Sequence, residues 1–219
     1  MDNFDFSQIL QGIAVGVLPI LFAVTLHEVA HGWMARRLGD RTAEMLGRLS
    51  LNPIKHIDPI GTVLVPIFLF ATVGFLFGWA KPVPVAFRNL NNPKRDMVWV
   101  ALAGPFANIV MGVFWALIYK LTILSGLATS FVGGWLLSMA EIGIIINALL
   151  AAFNLLPIPP LDGGRVLRGL VNESMGYFLD RIEPFGLIIL VFLLWQGWLW
   201  VLVAPLLTLV KNLIIFVVG

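Results

Sequence analysis

Five long apolar runs, separated by short polar stretches, dominate the pattern of the chain. They cover residues 6–38, 60–80, 97–119, 135–155 and 185–219. A membrane-spanning helix needs about 20 apolar residues, so each run is long enough to cross a bilayer. The last run exceeds one ordinary span, and Gln196-Gly197 and Pro205 are expected to divide it into a hairpin. The pattern predicts an all-α polytopic membrane protein, a bundle of about 5–6 transmembrane segments.

The polar stretches contain the features that interrupt helices. Residues 48–51 alternate weakly between polar and apolar, which is typical of a short strand. Residues 81–87 should be extended, because each proline there keeps the preceding residue out of the helical region. We therefore expect a small re-entrant or extended β element between the first and third apolar runs. Residues 120–134 should form a connection, and residues 164–181 a short polar helix.

The composition excludes an ordinary soluble protein. The chain has 219 residues, of which 59% are hydrophobic and 12% charged, whereas soluble domains carry about 25% charged residues. We expect one integral membrane domain over residues 1–219, with the lipid bilayer as its surroundings. The net charge of +2 supports no nucleic-acid partner. Because cysteine is absent, a metal site must use His, Asp, Glu or water.

The basic residues predict which loops face the cytoplasm, since short loops rich in Lys and Arg stay inside. They concentrate in residues 36–55, 81–95 and 165–181, whereas the connection at 120–134 contains only Lys120. The three basic stretches are therefore expected inside, and the connection outside.

The run at residues 60–80 does not fit a simple crossing. Both stretches that flank it are basic, so both of its ends should face the cytoplasm. Either the run enters the membrane and returns, bent at Pro66 or Gly74, or it spans and one loop departs from the charge rule. The sequence leaves both interpretations open.

His27-Glu28-Val-Ala-His31 lies at the end of the first apolar run. Ionisable side chains in such a setting are costly and usually functional, and H-E-x-x-H on a helix is a zinc-protease arrangement. The histidines are four residues apart, so both rings lie on one helical face and can reach one ion. A catalytic zinc takes three protein ligands and keeps a fourth position for water. A third ligand is therefore required.

Few side chains could supply this third ligand. His56 and Asp58 lie in the loop after the motif, and Glu141 lies toward the outer end of its run. Asp162 follows the fourth run, on the same predicted side as the end of the first. Prolines and glycines flank it, and an irregular backbone there could aim the carboxylate into the site. We therefore expect Asp162 to complete the site of one Zn²⁺ ion.

The expected chemistry is hydrolysis of a peptide bond. Zinc lowers the pKa of a bound water and polarises the scissile carbonyl, and Glu28 would pass the water's proton to the leaving amine. Asn154 would donate a hydrogen bond to the developing oxyanion or to substrate backbone, unless it only caps its helix. Asn108 is either an interhelical hydrogen-bonding residue or part of the site.

Two motifs, in this order and about 130 residues apart, resemble the site-2 protease family of intramembrane zinc metalloproteases. They are His27-Glu28-Val-Ala-His31 and Asn154-Leu-Leu-Pro-Ile-Pro-Pro-Leu-Asp162-Gly-Gly. Three shorter motifs resemble the short prokaryotic branch of that family, which lacks PDZ and CBS domains. These are Gly104-Pro105-x-x-Asn108, Asn52-Pro53-x-x-His56-x-Asp58 and Gly78-Trp-Ala-Lys-Pro82-Val-Pro84-Val.

The resemblance implies a zinc ion bound by His27, His31 and Asp162, with the glutamate of the first motif as the catalytic base. It also implies that Asn154 and the nearby prolines hold an unwound substrate. Residues 81–87 resemble the element of this family that offers a strand edge to the substrate.

These observations together predict an intramembrane zinc endopeptidase of the cell membrane. It would cut transmembrane or membrane-proximal segments of other membrane proteins near the cytoplasmic face. The catalytic core should cover about residues 6–170, followed by a membrane segment or hairpin at 185–219. One alternative is a metal transporter, which needs further ligands along a path. Another is a catalytically silent protein that binds membrane partners and tolerates loss of Glu28.

Overall fold

The computed structural model describes residues 6–65, 67–68, 78 and 80–218. Most of this part of the chain is α-helical. The α-helices are α1 (Phe6–Arg37), α2 (Thr42–Met45), α3 (Pro93–Leu124), α4 (Phe131–Asn154), α5 (Asp162–Leu170), α6 (Glu173–Ile182), α7 (Gly186–Trp195) and α8 (Trp198–Val218). Short 3₁₀ helices cover Pro53–His56, Phe87–Asn89, Leu127–Thr129 and Glu183–Phe185, and a π-helical turn covers Pro59–Leu64.

Four of the described helices are long and apolar enough to cross a membrane. They are Gln11–Arg37 within α1, and the whole of α3, α4 and α8. The prediction of an all-helical membrane protein is confirmed at this level. The expected number of about 5–6 transmembrane segments is not reached within the described residues.

The predicted segment at residues 60–80 lies largely outside the described part of the chain, which omits residues 66, 69–77 and 79. The two ends of the segment are described. The Lys81 N–H donates a hydrogen bond to the His56 carbonyl at 2.9 Å. The choice between a re-entrant and a spanning path nevertheless lies outside the described residues.

Helix ends follow local signals, with two differences from the predictions. Helix α1 ends after Arg36 and Arg37, and Gly39 follows with a positive φ of 112°, as expected for a glycine stop. Helix α3 runs past residue 119 to Leu124, so the connection to α4 is shorter than predicted. The predicted polar helix at 164–181 is two helices, because the Asn172 side chain accepts the Met175 N–H at 3.0 Å and starts α6 anew.

The last apolar run breaks at Gln196-Gly197, as predicted. Gly197 has a φ of 75°, a left-handed conformation that ends α7 and allows α8 to start in a new direction. Pro205, the other predicted break, lies inside α8 instead. Membrane-spanning helices tolerate proline because neighbouring groups satisfy the carbonyl that it leaves free. Helix α7 has only 10 residues, which is too short to span alone.

Helix α3 packs against α1, α4 and α8 and forms the centre of the bundle. Small residues allow the close approach. A Cβ at Gly112 would overlap Ile214 of α8, and a Cβ at Gly143 of α4 would overlap the Trp115 ring of α3. This tight packing brings polar side chains of α1, α3 and α4 into direct contact.

No β-strand occurs within the described ranges, so the strands expected at residues 48–51 and 81–87 are absent there. Because Pro82 and Pro84 keep the residues before them out of the helical region, residues 81–86 are nevertheless a non-helical segment. They are anchored by the Arg48 guanidinium, which donates to the Lys81 carbonyl at 3.0 Å, and by Asp40 Oδ2, which accepts the Ala86 N–H at 2.7 Å. Side chains thus form hydrogen bonds with backbone groups that a β-strand would use to pair with a neighbouring strand.

Candidate metal centre

The last turns of α1 carry His27, Glu28 and His31. From the helical rise, the two histidines lie about 9–15 Å before Arg37, within the apolar length of the helix. Their side chains are buried, with exposed fractions of 7% and 8%. The helix therefore presents two imidazoles and a neighbouring carboxylate to the interior of the bundle.

Asp162 is the first residue of α5. The irregular backbone that we expected on both sides of Asp162 is present before it, at residues 155–161, but the expectation is wrong after it, because Asp162 and the two glycines that follow are helical. Glycine makes the early helix start possible. A Cβ at Gly163 would overlap the carbonyl oxygens of Leu155 and Leu156, so only glycine lets α5 begin directly beneath the end of α4.

Three side-chain atoms from these two segments converge. His27 Nε2 and His31 Nε2 are 3.1 Å apart, and Asp162 Oδ2 lies 3.2 Å from the first and 3.3 Å from the second. Within the described residues, this is the one group of three or more potential metal ligands close enough to share an ion.

The spacing of these atoms fits a zinc ion. Zinc–ligand bonds of about 2.0–2.1 Å at tetrahedral angles place ligand atoms about 3.3 Å apart. Asp162 Oδ2 is also buried without a hydrogen-bond partner in the described part of the chain. A buried carboxylate oxygen that faces two imidazole nitrogens needs a cation or a proton between them. The donor set therefore fits one zinc ion.

The far side of each imidazole is held by an oxygen. His27 Nδ1 lies 2.6 Å from Asn108 Oδ1, and His31 Nδ1 lies 2.7 Å from the Val100 carbonyl. Because a carbonyl oxygen only accepts, the His31 proton is on Nδ1, and the lone pair on Nε2 faces the centre. The amide oxygen of Asn108 has the same effect on His27. Such contacts orient metal-binding histidines and raise their basicity.

The pKa of Asp162 is well below its usual range. Burial by itself would raise this pKa, but positive charge on the His31 and His27 imidazoles, carried by protons that a bound cation would replace, outweighs that effect. The carboxyl group is therefore ionised at neutral pH, as a metal ligand must be.

The Glu28 carboxylate faces residues 81–86. Its Oε2 accepts a hydrogen bond from the Val83 N–H at 2.7 Å. Val83 is buried against α1, where a Cβ at Gly32 would lie 2.7 Å from Val83 Cγ1. Residues 81–86 thus lie against α1 on the side where Glu28 lies.

The alternative ligands lie elsewhere. The His56 ring contacts the Ser50 carbonyl through Nε2 at 2.8 Å, and Asp58 caps the π-helical turn by accepting the Ile60 N–H at 2.9 Å. Glu141 lines a cavity of about 550 Å³ toward the other end of α4. None of the three belongs to the cluster around Asp162.

Asn154 is the last residue of α4, on the side of the bundle where Asp162 lies. Its Nδ2 donates to the Leu150 carbonyl at 2.9 Å, within its own helix. This is the capping contact that the sequence left open as an alternative, and the role of Asn154 toward substrate stays a prediction.

Two residues near the centre were given no role by the sequence reasoning, although Gly104 belongs to a motif named there. Asn147 bonds Asn108 from α4, with 2.9 Å between Asn147 Oδ1 and Asn108 Nδ2. Gly104 faces both imidazoles, since a Cβ there would overlap His31 and lie 2.7 Å from His27 Cε1. An amide inside a membrane run whose one charged residue is Glu141 was the available signal for Asn147.

Comparison with known proteins identifies the family. The sequence model of peptidase family M50 matches residues 121–196, which include Asn154 and Asp162. The Bacillus subtilis protein named "Putative zinc metalloprotease YwhC" is 37% identical over 179 residues, which cover 79% of this chain and 76% of that protein. This chain belongs to peptidase family M50.

Other M50 relatives carry similar names. "Putative zinc metalloprotease Rip2" of Mycolicibacterium smegmatis is 32% identical over 87% of this chain and 71% of its own length. "Zinc metalloprotease MJ0392" of Methanocaldococcus jannaschii is 24% identical over 75% of this chain and 36% of its own length. No solved structure matches the chain significantly. The resemblance to site-2 proteases is confirmed, and this M50 protein is a zinc metalloprotease with apolar membrane helices.

Proposed function

We propose that this M50 protease cleaves within the membrane, hydrolysing peptide bonds in transmembrane or membrane-proximal segments of other membrane proteins. The observation that carries the proposal is the convergence of His27, His31 and Asp162 to within 3.3 Å of one another. The centre lies inside a bundle of membrane-length helices. A metal centre at this depth is suited to a peptide that itself enters the bilayer.

In this proposal His27, His31 and Asp162 hold one zinc ion. When bound, zinc supplies Lewis acidity, which lowers the pKa of water and polarises a carbonyl. Glu28 lies beside these ligands and acts as the general base, taking a proton from water and returning it to the leaving amine. The Val83 N–H holds Oε2 of Glu28 at 2.7 Å, which leaves the other carboxylate oxygen to carry the proton.

The substrate must be unwound, because a helical peptide hides its amide groups in internal hydrogen bonds. Residues 81–86 lie next to Glu28, and side chains of this chain hold the Lys81 carbonyl and the Val83 and Ala86 N–H groups. A substrate is proposed to pair with the remaining backbone groups of this segment. Pairing with extended backbone is a general way to hold a peptide in extended form. Asn154 has an amide side chain at the same side of the bundle and is proposed to contact the substrate backbone.

The catalytic side of the bundle is proposed to face the cytoplasm. The loops there are basic, with Arg36, Arg37, Arg41 and Arg48 after the motif helix. The connection between α3 and α4 at the other side carries no basic residue, and the nearest one is Lys120 near the end of α3. Short basic loops are retained inside, which supports this orientation.

The two alternatives receive less support. A transporter needs potential ligands along a path, whereas the described residues hold one cluster of three. A silent binding protein has no need for a carboxylate beside that cluster, and the relatives are named as zinc metalloproteases.

The test is Glu28→Gln in the full-length protein, co-expressed with a membrane protein that carries a tagged transmembrane segment. We expect zinc to be retained and cleavage to fall by about 10²- to 10⁴-fold, the usual contribution of a general base. Glu141→Gln makes the same chemical change in α4, away from the centre, and should cleave like wild type. Unchanged cleavage by Glu28→Gln would contradict the proposal, and zinc flux into vesicles would favour the transporter.

A further inference from the structure

A line of buried amide groups connects α4 to the metal centre. Asn147 and Asn108 are completely buried, with exposed fractions of 0%. Asn147 Nδ2 donates to the Gly143 carbonyl at 2.8 Å, and Asn108 Nδ2 donates to Asn147 Oδ1 at 2.9 Å. Asn108 Oδ1 then lies 2.6 Å from His27 Nδ1. The line joins three helices through side chains that are far apart in the sequence.

The hydrogen-bond partner of Asn147 determines how the amide groups of both Asn147 and Asn108 are oriented. The Gly143 carbonyl only accepts, so Asn147 must turn its nitrogen toward Gly143 and its oxygen toward Asn108. Asn108 must then present its nitrogen to Asn147, and the same nitrogen donates to the Ala23 carbonyl at 3.1 Å. Its oxygen is left to face His27. Each amide can therefore satisfy its partners in one orientation only.

The surroundings make a reversed orientation costly. The Trp115 ring lies against Gly143, and Ile214 packs near Asn147, with exposed fractions of 5% and 0%. In such a closed site, a reversed amide would leave buried donors and acceptors without partners, which costs about 1–3 kcal/mol for each group. The packing thus keeps water away from these amide groups, so water cannot replace the hydrogen bonds that a reversed amide would lose.

We propose that Asn147 is a positioning residue for the metal centre. Acting through Asn108, it keeps the proton of His27 on Nδ1 and directs the lone pair on Nε2 toward His31 and Asp162. The proposal rests on the zinc-binding role proposed above for His27. Asn147 lies two contacts away from the ligand, so its effect is on the orientation of His27 and not on the reacting atoms.

A purely structural role for Asn147 makes a different prediction. If the residue only ties α3 to α4, an apolar side chain of similar size would alter stability and leave zinc binding unchanged. If it orients His27, the same change would weaken zinc binding, because one N–H of Asn108 loses its acceptor. Asn147→Leu and Asn147→Asp separate these cases, since only aspartate keeps an acceptor toward Asn108.

The experiment measures the zinc Kd of the full-length protein in lipid nanodiscs, by competition with a chelator. We expect Asn147→Leu to bind zinc about 10-fold more weakly than wild type, the lower end of the cost of losing a direct partner of a ligand, because Asn147 acts on His27 only through Asn108. Asn147→Asp should fall between Asn147→Leu and wild type. The visible absorption of the Co²⁺-loaded protein should change in the same order, because it reports the coordination geometry.

Thr122→Val is the matched control. It removes a buried side-chain hydrogen bond to a helix carbonyl, that of Ile118 at 2.8 Å, away from the metal centre. Its zinc Kd should equal that of wild type. If Asn147→Leu does not fold, Asn147→Ser replaces it, because a serine hydroxyl can bond the Gly143 carbonyl but is too short to reach Asn108.

A zinc Kd for the folded leucine or serine variant equal to that of wild type would overturn the proposal. Wild-type protein that binds zinc but does not cleave the membrane substrate would reject the proposed cleavage within the membrane and leave this inference standing. Wild-type protein that binds no zinc would overturn both.

Discussion

At Gly104 the backbone of α3 lies directly against the two imidazoles. A Cβ added there would overlap His31 Nε2 and would lie 2.6 Å from His31 Cε1 and 2.7 Å from His27 Cε1. Real Cβ contacts are essentially never this short, so the rings or the helix must shift. The absence of one methyl group at this position therefore leaves room for the two imidazoles to converge on Asp162.

Gly104→Ala should weaken zinc binding and lower proteolytic activity by at least about tenfold, because the metal ligands lose their mutual geometry. The measurements are the zinc Kd and the rate of substrate cleavage. Global stability should change little, since alanine is the better helix former and offsets part of the strain. Gly134→Ala in α4 is the control, because a Cβ there meets nothing within 4 Å. Equal zinc affinity in the two variants would contradict this prediction, because it would show that the backbone of α3 at Gly104 does not determine the positions of the imidazoles.

At the scale of the element, the sequence predicts best what depends on local periodicity. The spacing of His27 and His31 places both rings on one face of a single helix, and α1 has that form. The glycine stop at Gly39 and the break at Gly197 follow from the conformational freedom of glycine. Each of these features is determined by residues within a few positions of one another.

Contacts between distant segments could not be predicted in this way. Asn147 approaches Asn108 only because small residues let α4 pack closely on α3. The early start of α5 depends on the room that Gly163 leaves beneath α4. Local patterns favoured an irregular turn at Asp162, whereas the tertiary packing favours a helix that starts there.

Asp40 is a further example of such a long-range contact. It is completely buried and accepts hydrogen bonds from Thr42, from the Ala86 N–H at 2.7 Å and from Asn89 at 3.1 Å. Burial by itself would raise the pKa of Asp40, but these hydrogen bonds outweigh it and lower the pKa. The carboxylate therefore ties the end of α1 to the segment that contacts Glu28.

For the whole molecule, the orientation of the bundle in the membrane can be measured with single cysteines, because the chain contains none. Met45 and Thr129 are exposed residues on the predicted inner and outer sides. Thr129→Cys should react with a membrane-impermeant maleimide on intact cells, and Met45→Cys only after permeabilisation. The reverse pattern would place the metal centre on the outer side, contrary to the proposed orientation.

The account depends most on one claim about the whole molecule, namely that α1 and the start of α5 together hold a single zinc ion. X-ray absorption at the zinc edge of the full-length protein tests it directly, together with the zinc content per chain. We predict about one zinc per chain, two imidazoles in its coordination shell and zinc–nitrogen distances of about 2.0–2.1 Å. Asp162→Asn should lower the zinc content. A wild-type chain without zinc, a coordination shell without imidazole, or an unchanged zinc content in Asp162→Asn would contradict the account.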